Sequence, residues 1–426
     1  MADRRDFYVP TDALGDIDWL SDLTVDRADV PGTNHVIRSA IAVDGSHVVH
    51  RIRDGMPSVV YGFAQAAAAY VDLAVMRDQR AERFPDPVAI QKAVNSALIS
   101  ADLPVAGAYT RPGVDIKTSW RELVNEIFRT KLVQVNGINE SLEQLLYRLR
   151  GTPQVVATTI LVNCPSCDTQ DIPVSIGGSV CTNADCGVDL YATDALRIYE
   201  SAVEDGDNVT ALGRLRSVIE LLVLTGLATL LWQQSRTDHL AHTLFIMDGP
   251  LAMYGEPAKL RGWAEDYFQE MNRLTPGPGP FVCGVEKSGS MVDFGETLAR
   301  NELLRPGQLL VCDERVIRRV LNTPNPESYG KETYWGRKFI YRCLDGRTVV
   351  VTVPADSRAA YDSRGGQPGP EGYSTLPAIL DVIDATGSTM YRNGIIPVAA
   401  AHGHAAFPIG VGTDVLRLVA SQRLGF

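Results

Sequence analysis

The chain has 426 residues, with 40 lysines and arginines against 51 aspartates and glutamates, so its formal net charge is −11. Apolar residues make up 45% and charged residues 21%, which is typical of a globular protein and excludes a chain that is disordered throughout. The acidic balance excludes a protein that coats nucleic acid through bulk positive charge, but it is compatible with a local basic groove or a metal-bridged site.

The hydropathy pattern predicts no transmembrane helix, because no uninterrupted apolar run reaches about 18 residues. The most apolar stretch, residues 218–232, is shorter than that and contains Glu220. The N-terminal sequence MADRRD lacks the apolar core of a signal peptide. We therefore expect a cytoplasmic protein without a membrane partner, in which the seven cysteines are thiols or metal ligands rather than disulfides.

The first half of the chain divides into an extension and a first core segment. Residues 1–35 are polar and acidic, and we expect them to wrap the surface. Residues 36–154 form the first part of the predicted core. Within it we predict a strand over 37–43, a strand followed by a helix over 59–75, and an amphipathic helix over 138–150.

A change of composition near residue 151 marks a small inserted module over residues 155–192, which contains four cysteines, short β-branched runs and several turn residues. Residues 193–426 form the second part of the core, beginning with a mostly helical stretch over 193–232. Further strands are predicted over 244–247, 281–285, 309–312, 339–344 and 348–353, and further helices over 258–272 and 376–386. This alternation predicts an α/β fold: a mixed sheet flanked by helices, with the small module inserted.

The four cysteines of the module predict a zinc site. They form the pattern Cys164-Pro-Ser-Cys167 and Cys181-Thr-Asn-Ala-Asp-Cys186, and 13 residues separate the two pairs. Four thiolates at this spacing are typical of a tetrahedral, ribbon-like structural Zn²⁺ site. Because four protein ligands leave no open position, we assign this metal to folding or partner contact rather than to catalysis.

Two similar strand ends form the second constellation, namely Ser39-Ala-Ile-Ala-Val-Asp44-Gly-Ser and Leu244-Phe-Ile-Met-Asp248-Gly-Pro-Leu. Each carries a carboxylate after an apolar strand, where ligands gather in α/β sheets. Two such carboxylates on neighbouring strands can hold Mg²⁺ or Mn²⁺, which activates water against a phosphodiester. Either Asp-Gly pair alone is better explained by a turn, so the repeated context carries the hypothesis.

A family resemblance rests on four short motifs in their chain order: Asp44-Gly-Ser, Asp248-Gly-Pro-Leu, Gly284-Val-Glu-Lys287-Ser and Pro397-Val-Ala-Ala-Ala-His402. In this order they resemble the NurA nuclease family, over roughly residues 36–150 and 212–420. The resemblance implies an RNase H-like core, Mn²⁺-dependent DNA cleavage, a homodimer and a HerA-like hexameric ATPase as partner. The four-cysteine module lies outside the family pattern.

The resemblance also implies individual roles. Asp44 matches the first family carboxylate and Asp248 the second. Glu220 is the best match to a helical glutamate upstream of the second strand, although it also fits a lone charge on an apolar helix. A buried glutamate among leucines and valines needs a partner, which favours the ligand role.

Two basic side chains complete the predicted site. His402 matches a family histidine and could ligate metal or orient water or phosphate, but His404 is close enough in sequence to be confused with it. Lys287 lies in a turn and could contact the scissile phosphate, although a solvated surface lysine fits its sequence equally well. The strand over 348–353 is uncharged where many family members carry an acidic residue, so a further carboxylate ligand is not predicted.

The sequence therefore predicts a Mn²⁺- or Mg²⁺-dependent deoxyribonuclease with a structural Zn²⁺ module, acting in DNA end processing or in defence against foreign DNA. Two rivals stay open at this point. One is a non-catalytic zinc-ribbon adaptor of an ATPase complex, and the other is an RNase H-like enzyme that acts on RNA. The N-terminal 35 residues and the module are the predicted contact surfaces for a partner.

Overall fold

The computed structural model describes residues 18–32, 35–53, 56–76, 94–135, 137–277, 279–321, 333–356, 369–388, 392–411 and 422. The strands are β1 Thr24–Asp26, β2 Ser39–Arg53, β3 Met56–Asp72, β4 Val94–Ala106, β5 Leu132–Val135, β6 Ile138–Ser141, β7 Ile160–Val162, β8 Ile172–Val174, β9 Ser179–Val180, β10 Asp189–Leu190, β11 Thr243–Asp248, β12 Phe281–Glu286, β13 Gln308–Val311, β14 Arg337–Arg342 and β15 Thr348–Val353. The helices are α1 Ile116–Thr130, α2 Leu142–Arg150, α3 Val209–Gln233, α4 Thr237–Leu240, α5 Lys259–Leu274, α6 Ser290–Arg300, α7 Glu314–Leu321, α8 Leu376–Ala385 and α9 Ile396–Val411.

A mixed sheet with the strand order β1-β13-β14-β15-β12-β11-β2-β3-β4 organises the fold. Strands β2, β3 and β4 form an antiparallel meander, whereas β11 pairs in parallel with both β2 and β12. Helices cover the sheet, and the four-cysteine module is formed by the hairpins β7–β8 and β9–β10. This architecture confirms the predicted α/β class, a mixed sheet flanked by helices with a small cysteine-bearing module, and it is compatible with the predicted RNase H-like core.

The alternation of side chains along β2 and β11 builds a core on each face of the sheet. Ile41 and Val43 of β2 face one core, to which α3 and α5 contribute, and Ala40 and Ala42 face the other, to which α8 and α9 contribute. Among the described helices, α3 is long and apolar enough to cross a membrane by length and composition, but most of it is buried inside the protein, as expected of a core helix.

Two predicted elements differ from the observed ones in an instructive way. The amphipathic helix predicted over 138–150 begins only at Leu142, because residues 138–141 pair with β5 and the Ser141–Gln144 capping box starts the helix. The strand predicted to end at Val43 continues to Arg53, because β3 pairs with it well past Asp44 and Gly45. Asp44 therefore lies within β2 rather than after it.

The described part of the N-terminal segment belongs to the sheet. Strand β1 pairs antiparallel with β13 at one edge, and Leu20 and Val30 are buried in the adjoining cores. Arg27 ion-pairs with Asp381 and Asp384 of α8. Part of the segment that was predicted to wrap the surface thus completes the sheet, and residues 1–17 lie outside the described part of the chain.

Candidate metal centres

Asp44 and Asp248 lie side by side on neighbouring parallel strands. The pairing of β11 with β2 places Met247 opposite Val43, so the two aspartates that follow occupy the same level. Both project from the face that the alternation assigns to α9, because they continue the series of Ala40 and Ala42 on β2 and of Leu244 and Ile246 on β11. The side chain of Asp44 is nearly buried, and the Gly45 backbone N–H donates to its Oδ1 at 2.7 Å.

Helix α9 brings His402 to the same point. Its Nδ1 lies 2.6 Å from Asp44 Oδ2 and 4.0 Å from Asp248 Oδ2. One ligand atom from each of the three residues lies within 4.8 Å of the other two. The His402 side chain is 40% exposed, so the cluster opens to solvent on this side. His404 is exposed and does not belong to the cluster, which separates the two histidines that the sequence leaves open.

Two polar residues of the meander hold α9 in place above the aspartates. Ser46 Oγ donates to the Ala405 carbonyl at 2.7 Å, and Gln65 Nε2 donates to the same oxygen at 2.8 Å. Because Ala405 is one helical turn beyond His402, these bonds set the height of the imidazole over the sheet. Sequence reasoning missed both residues, and the only available signal was their polarity within otherwise apolar strands.

Glu220 approaches from the opposite face of the sheet. It is buried on α3 and packs against Gly45, where an added Cβ would overlap its Oε1. Arg216, four residues earlier on the helix, places its Nε 3.3 Å from Glu220 Oε1 and donates from Nη1 to the Gly45 carbonyl at 3.3 Å. The structure therefore places Glu220 beside the strand that carries Asp44, but not among the three ligand groups of the cluster.

The environment of Glu220 raises its pKa to about 7. Burial is the largest cause, the nearby Arg216 opposes it, and the negative charges of Asp44 and Asp248 add to it. This dependence on both aspartates shows that the three carboxyl groups interact electrostatically across β2. A cation at the cluster relieves the same repulsion, so the acidic groups on both faces favour its binding.

Lys287 is bound to Asp248 rather than free in solvent. Its Nζ donates to Asp248 Oδ2 at 2.5 Å, and its side chain is only 20% exposed. Burial and the charge of Asp44 raise the pKa of Asp248, whereas Lys287 counteracts this shift. Lys287 follows β12, so one cation from the third parallel strand stabilises the ionised carboxylate on the second.

The donor set of the cluster fits a hard divalent cation. Two carboxylates supply oxygen ligands, which Mg²⁺ and Mn²⁺ prefer, and an imidazole nitrogen is also acceptable to Mn²⁺. With three protein ligands and one exposed side, the arrangement leaves room for water or substrate in the remaining positions. The chemistry of these groups is therefore compatible with metal-assisted hydrolysis.

The four module cysteines form a separate and closed centre. Cys164 Sγ lies 3.7 Å from Cys186 Sγ, Cys167 Sγ lies 3.5 Å from Cys181 Sγ, and all four sulfurs lie within 4.8 Å of one another. A disulfide requires about 2.05 Å, whereas four sulfurs at about 2.3 Å from a central Zn²⁺ are about 3.8 Å apart. A hydrogen bond with Thr169 lowers the pKa of the Cys167 thiol to about 6, which favours the thiolate.

The module is anchored to the rest of the protein through its apolar core and two polar contacts. Ile160, Val162 and Val174 are buried in the same core as α3. Tyr147 of α2 donates its hydroxyl to the Val174 carbonyl at 2.8 Å. Arg121 of α1 forms a buried two-point contact with the Asp194 carboxylate just after the module, at 2.7 and 2.8 Å. The cysteine centre of the module therefore lies in a part of the fold that is packed against α1 and α2.

Comparison with known proteins gives structural similarity only. No protein-family model matches the chain, and no curated protein matches its sequence. Among solved structures, the NurA nuclease from Sulfolobus solfataricus is similar over 95% of this chain and 88% of its own, with 12% identity and a TM-score of 0.34. A second NurA structure is similar over 91% of both chains, with 10% identity and a TM-score of 0.28. At these TM-scores neither structure defines the activity of this chain.

Proposed function

We propose that this chain is a metal-dependent nuclease that hydrolyses DNA phosphodiester bonds and resembles NurA. One observation carries the proposal: Asp44, Asp248 and His402 come from distant parts of the chain, yet their ligand atoms converge within 4.8 Å. Three groups of this chemistry beside the carboxyl end of β11 are suited to hold Mn²⁺ or Mg²⁺. The order of the four sequence motifs supports the same reading.

In the proposed mechanism, Asp44, Asp248 and His402 hold the metal. When bound, a divalent ion lowers the pKa of water and neutralises charge on the reacting phosphate. Lys287 stabilises the ionised form of Asp248 through its 2.5 Å hydrogen bond and adds a positive charge beside the substrate phosphate. Glu220 lies against Gly45, on the face of β2 opposite to the Asp44 side chain. With a pKa of about 7 it can hold or release a proton near neutral pH, and it is the proposed third carboxylate of the site.

The four cysteines are proposed to hold structural Zn²⁺. Their closed geometry offers no position for substrate, so their contribution is to the folding of the module. We further propose a cytoplasmic homodimer that works with a HerA-like hexameric ATPase in end processing or defence against foreign DNA. The net charge of −11 supports a DNA-delivering partner, because tight binding to long duplex DNA needs clustered lysines and arginines.

The two rival functions make different demands on the site. A zinc-ribbon adaptor without activity does not need the converging aspartates, so the Asp44–Asp248 pair favours an enzyme. A ribonuclease would use the same metal centre, and only the substrate distinguishes it from a deoxyribonuclease. Mass photometry of the purified chain, alone and mixed with the candidate ATPase, tests the homodimer and the complex.

The decisive experiment compares cleavage of labelled DNA and RNA strands of one sequence in Mn²⁺, in Mg²⁺ and in EDTA. We expect cleavage of DNA in Mn²⁺ and none in EDTA. Asp248→Asn should reduce the rate about 10³-fold, because a metal site supplies several kcal/mol and each 1.36 kcal/mol is tenfold. Asp238→Asn, at an exposed position of α4, is the matched control and should cleave normally. Full activity in Asp248→Asn, or no cleavage of either strand, contradicts the proposal.

A further inference from the structure

A polar cavity opens at the same end of the sheet as the carboxylate–histidine cluster. It has a volume of about 710 Å³ and lies between the end of α6, the β14–β15 hairpin and residues 387–388 and 392–393. Its charged lining consists of Arg300, Arg342, Arg347, Arg392, Glu296 and Asp345. We call it the Arg300–Arg342 pocket. Four arginines against two carboxylates give it a positive balance within an acidic chain.

The sheet register places this pocket beside the proposed active site. Strand β15 runs antiparallel to β12, with Val350 opposite Glu286, so the start of β15 lies at the edge where β11 and β12 end. Arg342 lies on β14, three strand spacings from β11 and three residues beyond the level of Asp248, which puts its backbone on the order of 15–20 Å from Asp248. Helix α6 starts three residues after Lys287 and crosses β14 and β15 at Gly295, and its length of about 15 Å carries Arg300 to the pocket.

Two of the four arginines have their charge satisfied within the protein. Arg347 pairs with Asp345 at 2.7 Å and donates to the carbonyls of Gly394 and Ile383 at 2.9 and 3.0 Å. Arg392 pairs with Glu296. These contacts hold the walls of the pocket in place. They also pair both of its carboxylates, those of Asp345 and Glu296, with an arginine.

Arg300 and Arg342 are different, because neither forms an ion pair within the described ranges of the chain. Among the described residues, the acceptor of Arg300 is the Thr297 hydroxyl, at 3.0 Å. Arg342 donates from Nη1 to the Thr348 hydroxyl at 2.8 Å, while its buried Nε has no acceptor. A buried guanidinium nitrogen without an acceptor is unfavourable, and a phosphate satisfies guanidinium groups with paired hydrogen bonds. The pocket is therefore chemically suited to an anion with several oxygens.

We propose that the Arg300–Arg342 pocket is a subsite for a backbone phosphate of the nucleic-acid strand that is cut at Asp44 and Asp248. This inference rests on the proposed nuclease function and deepens it. A separation on the order of 15–20 Å is spanned by a few nucleotides of one strand. The subsite thus holds the strand at a fixed distance from the scissile bond, and it reads the backbone rather than the bases.

The test compares a long and a short substrate in Arg300→Gln, Arg342→Gln and the control Arg129→Gln. Arg129 is also an exposed arginine in the last turn of a helix, on α1. The long substrate is a labelled single-stranded DNA of about 20 nucleotides, and the short one is thymidine 5′-(p-nitrophenyl phosphate), which cannot reach the pocket. We expect each pocket variant to raise KM for the long strand about tenfold, the loss expected for a hydrogen bond to a charged group, with kcat and the short substrate unchanged.

The salt dependence provides a second readout. Each pocket variant should reduce the slope of log affinity against log salt by about one, as measured by fluorescence anisotropy of the same strand without divalent metal. Arg300 is exposed, so Arg300→Gln gives a result even if Arg342→Gln folds poorly. Wild-type KM and salt slope in Arg300→Gln, equal to those of Arg129→Gln, overturn the subsite.

Two further outcomes separate this inference from the function on which it rests. If inorganic phosphate binds more weakly to the pocket variants but the long strand binds as tightly as to wild type, the pocket is a small-anion site and the inference is wrong. If the wild-type protein cleaves neither substrate, the nuclease function fails. In that case a loss of strand affinity confined to the pocket variants still supports a backbone-phosphate subsite, whereas equal affinities overturn it as well.

Discussion

The cysteine centre takes its ligands from a short stretch of chain, with Cys164 and Cys186 only 22 residues apart, whereas Asp44 and His402 of the other centre are separated by 358 residues. The first centre has four protein ligands on two hairpins and is closed. The second has three ligands, borne by two parallel strands and a helix, and a partly exposed histidine. Closed sets of ligands stabilise folds, and open ones leave a position for chemistry.

The electrostatics of the two centres differ as well. The carboxylate–histidine centre lies next to a third carboxyl group, and the charges of Asp44 and Asp248 help to raise the pKa of Glu220. Lys287 and Arg216 compensate only part of this negative charge. The carboxylate–histidine centre therefore carries uncompensated negative charge, which a bound cation would reduce. In the cysteine centre, the hydrogen bond with Thr169 lowers the pKa of the Cys167 thiol, whereas burial raises the pKa of the Cys181 thiol.

Cys164→Ser removes one ligand of the cysteine centre, and it should have the largest effect on zinc content and stability. Zinc content should fall from about one equivalent per chain to near zero, and the thermal midpoint should fall by at least about 5 °C, because metal binding contributes to the folding free energy. Proteolysis should become concentrated in residues 155–192. Metal analysis, melting curves and limited proteolysis measure these effects.

Cys343→Ser is the matched control for this variant, because Cys343 is buried in the main core away from the four-cysteine cluster, and it should retain zinc. Cleavage per folded molecule should change less in Cys164→Ser than its stability does. A variant that keeps its zinc, or that loses activity while remaining fully folded, would show that the division of roles between the two centres is wrong.

Gly45→Ala tests the open centre from the face opposite to His402. An added Cβ would overlap the Glu220 carboxylate and lie 2.9 Å from the Gln65 carbonyl. Overpacking of this kind costs about 1–3 kcal/mol, and displacement of Glu220 should slow DNA cleavage about tenfold or more. Cleavage rates in Mn²⁺ and urea unfolding measure the two effects.

The control for Gly45→Ala is Gly262→Ala on α5, where an added Cβ meets nothing within 4 Å. It should remain as active as the wild type and gain a little helix stability. If Gly45→Ala cleaves DNA at the wild-type rate although its stability has fallen, Glu220 has no part in the reaction and belongs to the structure alone.

The smallest expected effect is the pH dependence of stability without Mn²⁺ or Mg²⁺, with zinc retained. Glu220 has a pKa of about 7 in the folded protein, and in the unfolded chain an ordinary glutamate value of about 4.3 applies. Between these values the folded chain keeps a proton that the unfolded chain has lost, so the contribution of Glu220 to stability falls as pH rises from about 4 to about 7. The size is on the order of 1–3 kcal/mol.

Urea unfolding at pH 5 and pH 8 measures this contribution as the difference between wild type and Glu220→Gln, which cannot ionise. The wild type should lose more stability than the variant between these pH values, and Mn²⁺ should restore it at pH 8 by relieving the carboxylate repulsion. Glu126→Gln, at an exposed position of α1, should follow the wild-type pH dependence. Identical pH profiles for wild type and Glu220→Gln would show that Glu220 is not coupled electrostatically to Asp44 and Asp248.

Local patterns predicted many of the elements but not their ends. The apolar runs of β11 and β15 are recognisable in the sequence because neighbouring residues specify them. The extension of β2 beyond Asp44 was not, because it depends on pairing with β3. Likewise, the start of α2 at Leu142 depends on the pairing of the preceding residues with β5.

The sequence by itself determined the four-cysteine cluster, because its ligands lie on two adjacent hairpins and their spacing along the chain already reflects their geometry. It also identified Asp44, Asp248 and His402 as candidates through their context. Only the tertiary structure decided that these three side chains meet, that Lys287 binds Asp248, and that Glu220 reaches Gly45 from the other face of the sheet. The reason is physical: the parallel register of β2 and β11 and the position of α9 arise from long-range packing, which no local pattern encodes.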